Sequence, residues 1–216
     1  MTHLTIRLLL VDDHALVRSG VRALLEAHES PATTLAVVGE AATAEQALQL
    51  VGALGPDVVL LDLSLPGRSG IDALPDLMVA APDARFVALS MHEDAEYVQS
   101  FLAAGGAGYV PKTSLETELV DAILAVDRGE YYVPARLLAA LTRELAHPDP
   151  RRAAQLTERE TDVVRGIASG STYREIAQIL GLSEKTVATY RERASEKLGA
   201  RSRAELVRWA VERGLV

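Results

Sequence analysis

At 216 residues, about half of them apolar (49%) and a quarter charged (24%), the chain can form one large domain or two small ones with proper cores. The absence of cysteine excludes a disulfide framework and a thiolate metal site, and no apolar run reads as a signal peptide or membrane span, so a soluble cytoplasmic protein with no membrane partner is expected. The net charge of −8 is uneven: residues 1–150 carry 9 Lys and Arg against 21 Asp and Glu, residues 151–216 carry 13 against 9, and the modest basic surplus of the last part suits a polyanion.

The first 130 residues alternate strand and helix. An apolar run at 6–11 ends in Asp12-Asp13, and a helical stripe of Leu16, Val17, Val21, Leu24 and Leu25 follows over 14–29. A strand at 35–39 and a helix at 43–54 come next. Val58–Asp62 is four apolar residues closed by a carboxylate, the pattern of a parallel strand buried on both faces. After the loop Leu63-Ser64-Leu65-Pro66-Gly67-Arg68-Ser69-Gly70, a helix is expected over 71–80, starting late or kinked because Pro75 lies inside it. Arg85–Ser90 is the fourth strand, 95–104 a helix, 107–110 the fifth strand and 115–128 the fifth helix. Such βα units with short turns imply a doubly wound five-stranded parallel sheet with helices on both faces.

In such a sheet, ligands bind beyond the carboxyl ends of the strands. If the first and third strands are neighbours, Asp12, Asp13 and Asp62 converge there, and three carboxylates so close raise at least one pKa unless a cation sits among them. Mg²⁺, a hard oxygen-seeking ion, is the natural candidate. Taken singly, each acid has a plainer reading as a helix cap or solvated loop residue. Ser90 and Lys112 also fall at strand ends and have plain readings as a cap and a solvated amine. Together with the three acids they form a phosphoryl-transfer constellation, in which a carboxylate nucleophile meets cations and a hydroxyl.

Asp12-Asp13, Asp62 with its Leu-Pro-Gly-x-Ser-Gly loop, Ser90 and Lys112 resemble the receiver domain of two-component response regulators over about residues 5–128. The resemblance implies a flavodoxin-like fold and an Asp62 that accepts phosphate from a cognate histidine kinase. It also implies Mg²⁺ held by Asp13, Asp62 and the Ser64 backbone carbonyl with help from Asp12, phosphoryl binding by Lys112, and a switch formed by Ser90 and Tyr109. Tyr109 reads equally as an ordinary half-buried strand residue. Pro111 departs from the aliphatic residue usual before that lysine.

Residues 129–154 change character and read as a linker: Pro134-Ala135 opens a short helix through 145, and His147-Pro148-Asp149-Pro150-Arg151-Arg152 is an exposed joint. From 155 the periodicity is purely helical. Capping boxes at Thr157/Glu160, Thr172/Glu175 and Ser202/Glu205, with Gly170, Gly181, Gly199 and Gly214 as stops, give helices near 158–168, 173–180, 184–198 and 203–213. Gly181-Leu182-Ser183 joins the second and third as in helix-turn-helix units.

The third helix and the loop after it hold Lys185, Arg191, Arg193, Lys197, Arg201 and Arg203 against three glutamates. Leu-Thr-x-Arg-Glu, Glu175-Ile176-Ala177, Leu182-Ser183, Thr186-Val187, Lys197-Leu198-Gly199 and Arg203-x-Glu205-Leu206-Val207 resemble the LuxR-type helix-turn-helix domain over 155–216. Receiver plus this domain is similar to a NarL/FixJ-type transcription factor rather than an enzyme. By resemblance, Ala188, Thr189 and Glu192 face base edges, while Lys185, Thr186, Arg191, Arg193 and Lys197 are candidates for phosphates. Tyr173, Tyr190 and Ala194 depart from the family's usual residues, and the Tyr190 ring is expected to fill the volume left by Ala194. Trp209 and Val211 lie off the Leu206/Val207/Ala210 stripe and offer apolar surface for a homodimer once phosphorylated. Two-fold symmetry then requires inverted-repeat half-sites in double-stranded DNA. The competing reading is a phosphorylation-controlled protein-interaction switch whose C-terminal domain only dimerises.

Overall fold

Among the described residues, parallel strands β1 (Leu4–Val11), β2 (Thr33–Ala41), β3 (Val58–Asp62), β4 (Arg85–Ser90) and β5 (Gly108–Pro111) form one sheet in the order β2-β1-β3-β4-β5. The structure is a computed structural model describing residues 4–28, 30–146, 156–180, 182 and 184–216. Along β3, Val58 and Leu60 enter one core while Val59 and Leu61 enter the other, which is why the strand is apolar without alternation. The first core joins Leu8 and Leu10 to Val21 and Leu25 of α1 (Ala15–Glu26) and Leu119 and Ile123 of α5 (Leu115–Asp127). The second joins Leu9 and Val11 to Val51 of α2 (Ala44–Leu54), Leu74 and Leu77 of α3 (Gly70–Ala80), and Val98 and Phe101 of α4 (Ala95–Ala103). Full burial of each such side chain contributes roughly 1.5–3 kcal/mol.

Helix α3 corrects one expectation. It begins at Gly70 rather than late and runs through Pro75, because the Ser69 hydroxyl accepts the Asp72 N–H and fixes the first turn ahead of the proline. After β5 comes a 3₁₀ turn (Lys112–Ser114) that leads into α5. The outer edge of β5 is covered by Tyr132, which forms a single parallel bridge with Gly108: its N–H donates to the Ala107 carbonyl (3.0 Å) and its carbonyl accepts the Tyr109 N–H (2.8 Å). Helix α6 (Ala135–Ala146) starts one residue after Pro134, whose carbonyl accepts from Leu137 and Leu138, so the proline caps the helix instead of opening it. Leu137 is buried in the second core, with Val133 and Leu141 packed against it. The joint at 147–152 lies outside the described residues.

The chain divides into two units, residues 1–142 and 143–216. Among the described residues of the second are helices α7 (Glu158–Ala168), α8 (Tyr173–Leu180), α9 (Glu184–Leu198) and α10 (Arg203–Glu212). The Thr157/Glu160 and Thr172/Glu175 boxes are complete. Ser202 accepts from the Glu205 N–H, but the Glu205 carboxylate turns to the Arg201 N–H instead (2.6 Å). Gly170, Gly199 and Gly214 take left-handed φ at helix ends as expected, while Gly181 and Ser183 lie outside the described residues. Val163, Val164, Ile167, Ile176, Val187, Ala194, Leu206 and Ala210 make the core; Tyr173 and Tyr190 pack partly against it, Tyr190 beside the wholly buried Ala194 of the same helix. Trp209 packs partly against the same core, with the Arg213 guanidinium 5.4 Å above its ring, so the surplus apolar surface of α10 narrows to Val211, which is exposed. No helix among the described residues is long and apolar enough to cross a membrane.

Candidate functional sites

Because β1 and β3 pair directly, Asp12, Asp13 and Asp62 meet beyond their carboxyl ends. Asp12 and Asp62 are buried and Asp13 is about one-third exposed; one carboxylate oxygen from each lies, with a His14 ring nitrogen, within a 4.8 Å cluster. Lys112 Nζ enters from the turn after β5, 2.7 Å from Asp12 Oδ2 and 2.8 Å from Asp62 Oδ2. Burial pushes the Asp62 carboxyl above its ordinary value, against the lowering effect of the Lys112 ammonium and the Ser64 N–H, which donates to Oδ1 at 2.9 Å. For Lys112 burial alone acts downward, and the contacts with Asp12 and Asp62 outweigh it and hold the ammonium above its ordinary value. Asp12 Oδ2 is a buried acceptor that the Lys112 ammonium approaches to 2.7 Å. An all-oxygen set of three carboxylates with such an acceptor fits a hard divalent cation.

The loop after β3 is packed so tightly that glycine is required at 70. A Cβ there would lie 2.2 Å from the Asp62 carbonyl oxygen, while the Gly70 N–H donates to the Leu63 carbonyl at 3.1 Å. At the end of β4, Ser90 is fully buried and its hydroxyl accepts the His92 N–H at 3.0 Å. Tyr109 is wholly buried rather than half-buried; its hydroxyl donates to the His92 carbonyl at 2.8 Å, and its ring meets Phe101 edge-on. Burial raises the phenol's pKa, so the hydroxyl stays a donor. Pro111 pairs with Ser90 in the sheet register, one residue before Lys112.

In the second unit, α9 sets Val187 and Ala194 into the core and leaves Thr189, Glu192 and Arg193 exposed, with Ala188 and Arg191 between. Glu192 has no hydrogen bond or ion pair among the described residues, so its carboxylate is solvated. Thr186 is buried. The Lys197 Nζ is 2.9 Å from Glu160 Oε2, and Glu160 is wholly buried. Arg203 Nη2 donates to the Ile167 and Ser171 carbonyls (3.3 and 2.9 Å), closing the end of α7. Thr186 and Lys197 are therefore directed into the unit, the exposed Arg203 is tied to the end of α7, and among the described residues of α9 the cations left outward are Arg191 and Arg193, beside the exposed Glu184, Glu192 and Glu196. The Lys185 side chain lies outside the described residues.

The family profile described as "Response regulator receiver domain" matches residues 8–124, and that described as "Bacterial regulatory proteins, luxR family" matches 154–210. The transcriptional regulatory protein MctR of Rhizobium johnstonii is 38% identical over 98% of this chain and 95% of its own. The chain belongs to the LuxR-type response regulators. A LuxR-family two-component response regulator from Aurantimonas sp. SI85-9A1 is 36% identical with a TM-score of 0.62, covering 66% of this chain and 99% of its own. RcsB from Salmonella enterica serovar Typhimurium, solved bound to promoter P1flhDC in the presence of the phosphomimetic BeF₃⁻, is 26% identical with a TM-score of 0.59, covering 94% and 97%. This response regulator is thus a two-component DNA-binding transcription regulator: a receiver with a five-stranded parallel sheet, joined to a helical LuxR-type domain.

Some side chains that organise the response regulator's pocket have no motif of their own. Arg18 donates Nη1 to the Asp12 carbonyl (2.6 Å) and Nε to Glu40 Oε2 (2.9 Å), tying the end of β1 to β2. His14, adjacent to the acids in sequence, places Nδ1 2.7 Å from Asp13 Oδ1. Its position was a signal, whereas the Arg18–Glu40 pairing across 22 residues had none.

Proposed function

We propose that Asp62 is the phosphoacceptor for a histidine kinase, and that phosphorylation promotes dimerisation and binding to inverted-repeat DNA in the cytoplasm. The observation that carries this is a buried Asp62 carboxylate facing the Lys112 ammonium at 2.8 Å, with two further acids at the same strand ends. An Asp62 oxygen attacks phosphorus, the bond to the kinase histidine nitrogen breaks with its electron pair leaving on the imidazole, and an acyl phosphate forms. Asp12, Asp13, Asp62 and the Ser64 carbonyl would hold Mg²⁺, which would offset charge on the phosphoryl oxygens. Lys112 turns its ammonium from the Asp62 carboxylate to the phosphoryl group. The Ser90 side chain turns to donate its hydroxyl to a phosphoryl oxygen, which draws its own oxygen off the His92 N–H and leaves the loop tied to Tyr109 through the His92 carbonyl. The protein acts as a transcription factor and not as an enzyme. Arg191 and Arg193, with Lys185, supply phosphate contacts; Ala188, Thr189 and Glu192 stand toward the base edges.

Intact mass after incubation with Mg²⁺ and phosphoramidate tests the assignment. The wild type is expected to gain one phosphoryl group and Asp62→Asn none; a full gain in the variant rejects it. Binding to genomic fragments, with and without the donor, separates a DNA-binding output from dimerisation alone.

A further inference from the structure

In the first turn of α6, Arg136 touches three elements of the receiver. Its Nη1 lies 3.0 Å from Glu118 Oε1 on α5, and Nη2 lies 2.7 Å from Ser114 Oγ in the 3₁₀ turn and 3.2 Å from Glu93 Oε1 in the β4–α4 loop. The same Glu93 oxygen accepts the Thr113 hydroxyl at 2.8 Å. Two members of this network, Thr113 and Glu93, stand beside the phosphoacceptor machinery. Thr113 follows Lys112, and Glu93 follows His92, whose N–H and carbonyl are engaged by Ser90 and Tyr109. On the other side of Arg136, Leu137 is buried in the receiver core and Tyr132 caps the β5 edge. One guanidinium therefore spans the loop that carries the switch, the turn that carries the lysine, and the helix leading out of the receiver.

We propose that Arg136 is a positioning residue that couples filling of the Asp62 pocket to release of the first turns of α6. This rests on the phosphoacceptor reading of Asp62. With the pocket empty, Glu93 holds Arg136 and Thr113 together. When the Ser90 side chain rotates to donate its hydroxyl to a phosphoryl oxygen, its oxygen moves off the His92 N–H, and the loop moves with Glu93. Arg136 is then left to Glu118 and Ser114, and α6 loosens. The Arg136–Glu93 pair is nearly half exposed on both sides, so the coupling is that of an exposed network, a few-fold and salt-sensitive. Coupling between sites is reciprocal: if filling weakens the tie, removing the tie must favour filling.

The test uses the full chain, titrated with beryllofluoride at fixed Mg²⁺ while amide hydrogen exchange is followed over residues 135–142. In the wild type, exchange is expected to accelerate on filling. Arg136→Gln is expected to exchange fast before filling, to change little on it, and to bind beryllofluoride about two- to five-fold more tightly. Glu93→Gln, which cuts the same tie from the loop, should shift both readouts the same way, and Arg136→Lys should restore part of each. If Arg136→Gln loosens α6 but leaves the affinity unchanged, the residue is a structural tie only and the inference is overturned. Wild-type α6 exchange indifferent to filling also overturns it. A wild type that takes no beryllofluoride overturns the phosphoacceptor reading itself, and the coupling with it.

Discussion

Glu160 is wholly buried, accepts the Thr157 N–H and faces the Lys197 ammonium. Removing the amine leaves a buried carboxylate with a single backbone donor, so Lys197→Met is expected to cost the second unit about 2–4 kcal/mol, seen as a lower urea midpoint. Its salt slope on DNA should stay put. Unchanged stability with a slope reduced by about one would instead return Lys197 to the phosphate-contacting set. Asp62 has the opposite sense. Its folded pKa is raised by burial, so the folded state holds the proton more tightly than the unfolded chain. Its charge therefore costs stability at neutral pH, and that cost vanishes as pH falls below the ordinary carboxylate range. Without Mg²⁺, Asp62→Asn is expected to have a higher Tm than wild type at about pH 7 and to converge with it toward about pH 4. A constant offset across that range refutes the burial argument. The raised Lys112 pKa contributes stability at all pH below the ordinary lysine value and loses it only in alkali.

What local chemistry dictates was legible in the sequence. Val58–Asp62 and Arg85–Ser90 match their strands because apolar runs buried on both faces end where the acid or hydroxyl begins, and among the described residues α7 and α10 begin at the Thr157 and Ser202 caps while α7, α9 and α10 end close to Gly170, Gly199 and Gly214. Pro75 pointed to a late start that α3 does not show, because the Ser69 cap and the packing of Leu74 and Leu77 outweigh its lost hydrogen bond and the clash of its ring with the preceding turn. The pairings of Lys197 with Glu160, and of Arg136 with Glu93 and Glu118, join residues far apart in the chain with no periodic signature. On α9 the open question is what the exposed Glu192 meets. If it accepts from a cytosine amino group, Glu192→Ala loses roughly 1–3 kcal/mol at one base position, with little change in salt slope. Isotherms on a site and its single-base variants decide: tighter binding to every variant by one common factor shows that the acid only repels.

For the whole molecule, two units in one chain permit one to report on the other, and the proposed readout is a symmetric dimer on an inverted repeat. Val211, 58% exposed on α10, is the side chain of that helix proposed to meet a partner copy. Val211→Glu is expected to keep the phosphorylated chain monomeric in sedimentation while leaving Asp62 labelling intact; dimers that persist place the interface elsewhere. The bridge at Tyr132 bears on how the receiver can exist alone. β5 is the last strand of the sheet, and on its free side Tyr132 pairs a short row, the Ala107 carbonyl and the Tyr109 N–H. A receiver cut by a protease before Tyr132 bares that row to any other extended chain, and such rows are where sheets add foreign strands and aggregate. Cleavage after α6 leaves the row closed. The segment proposed to carry the signal outward thus also closes part of the receiver's open sheet edge.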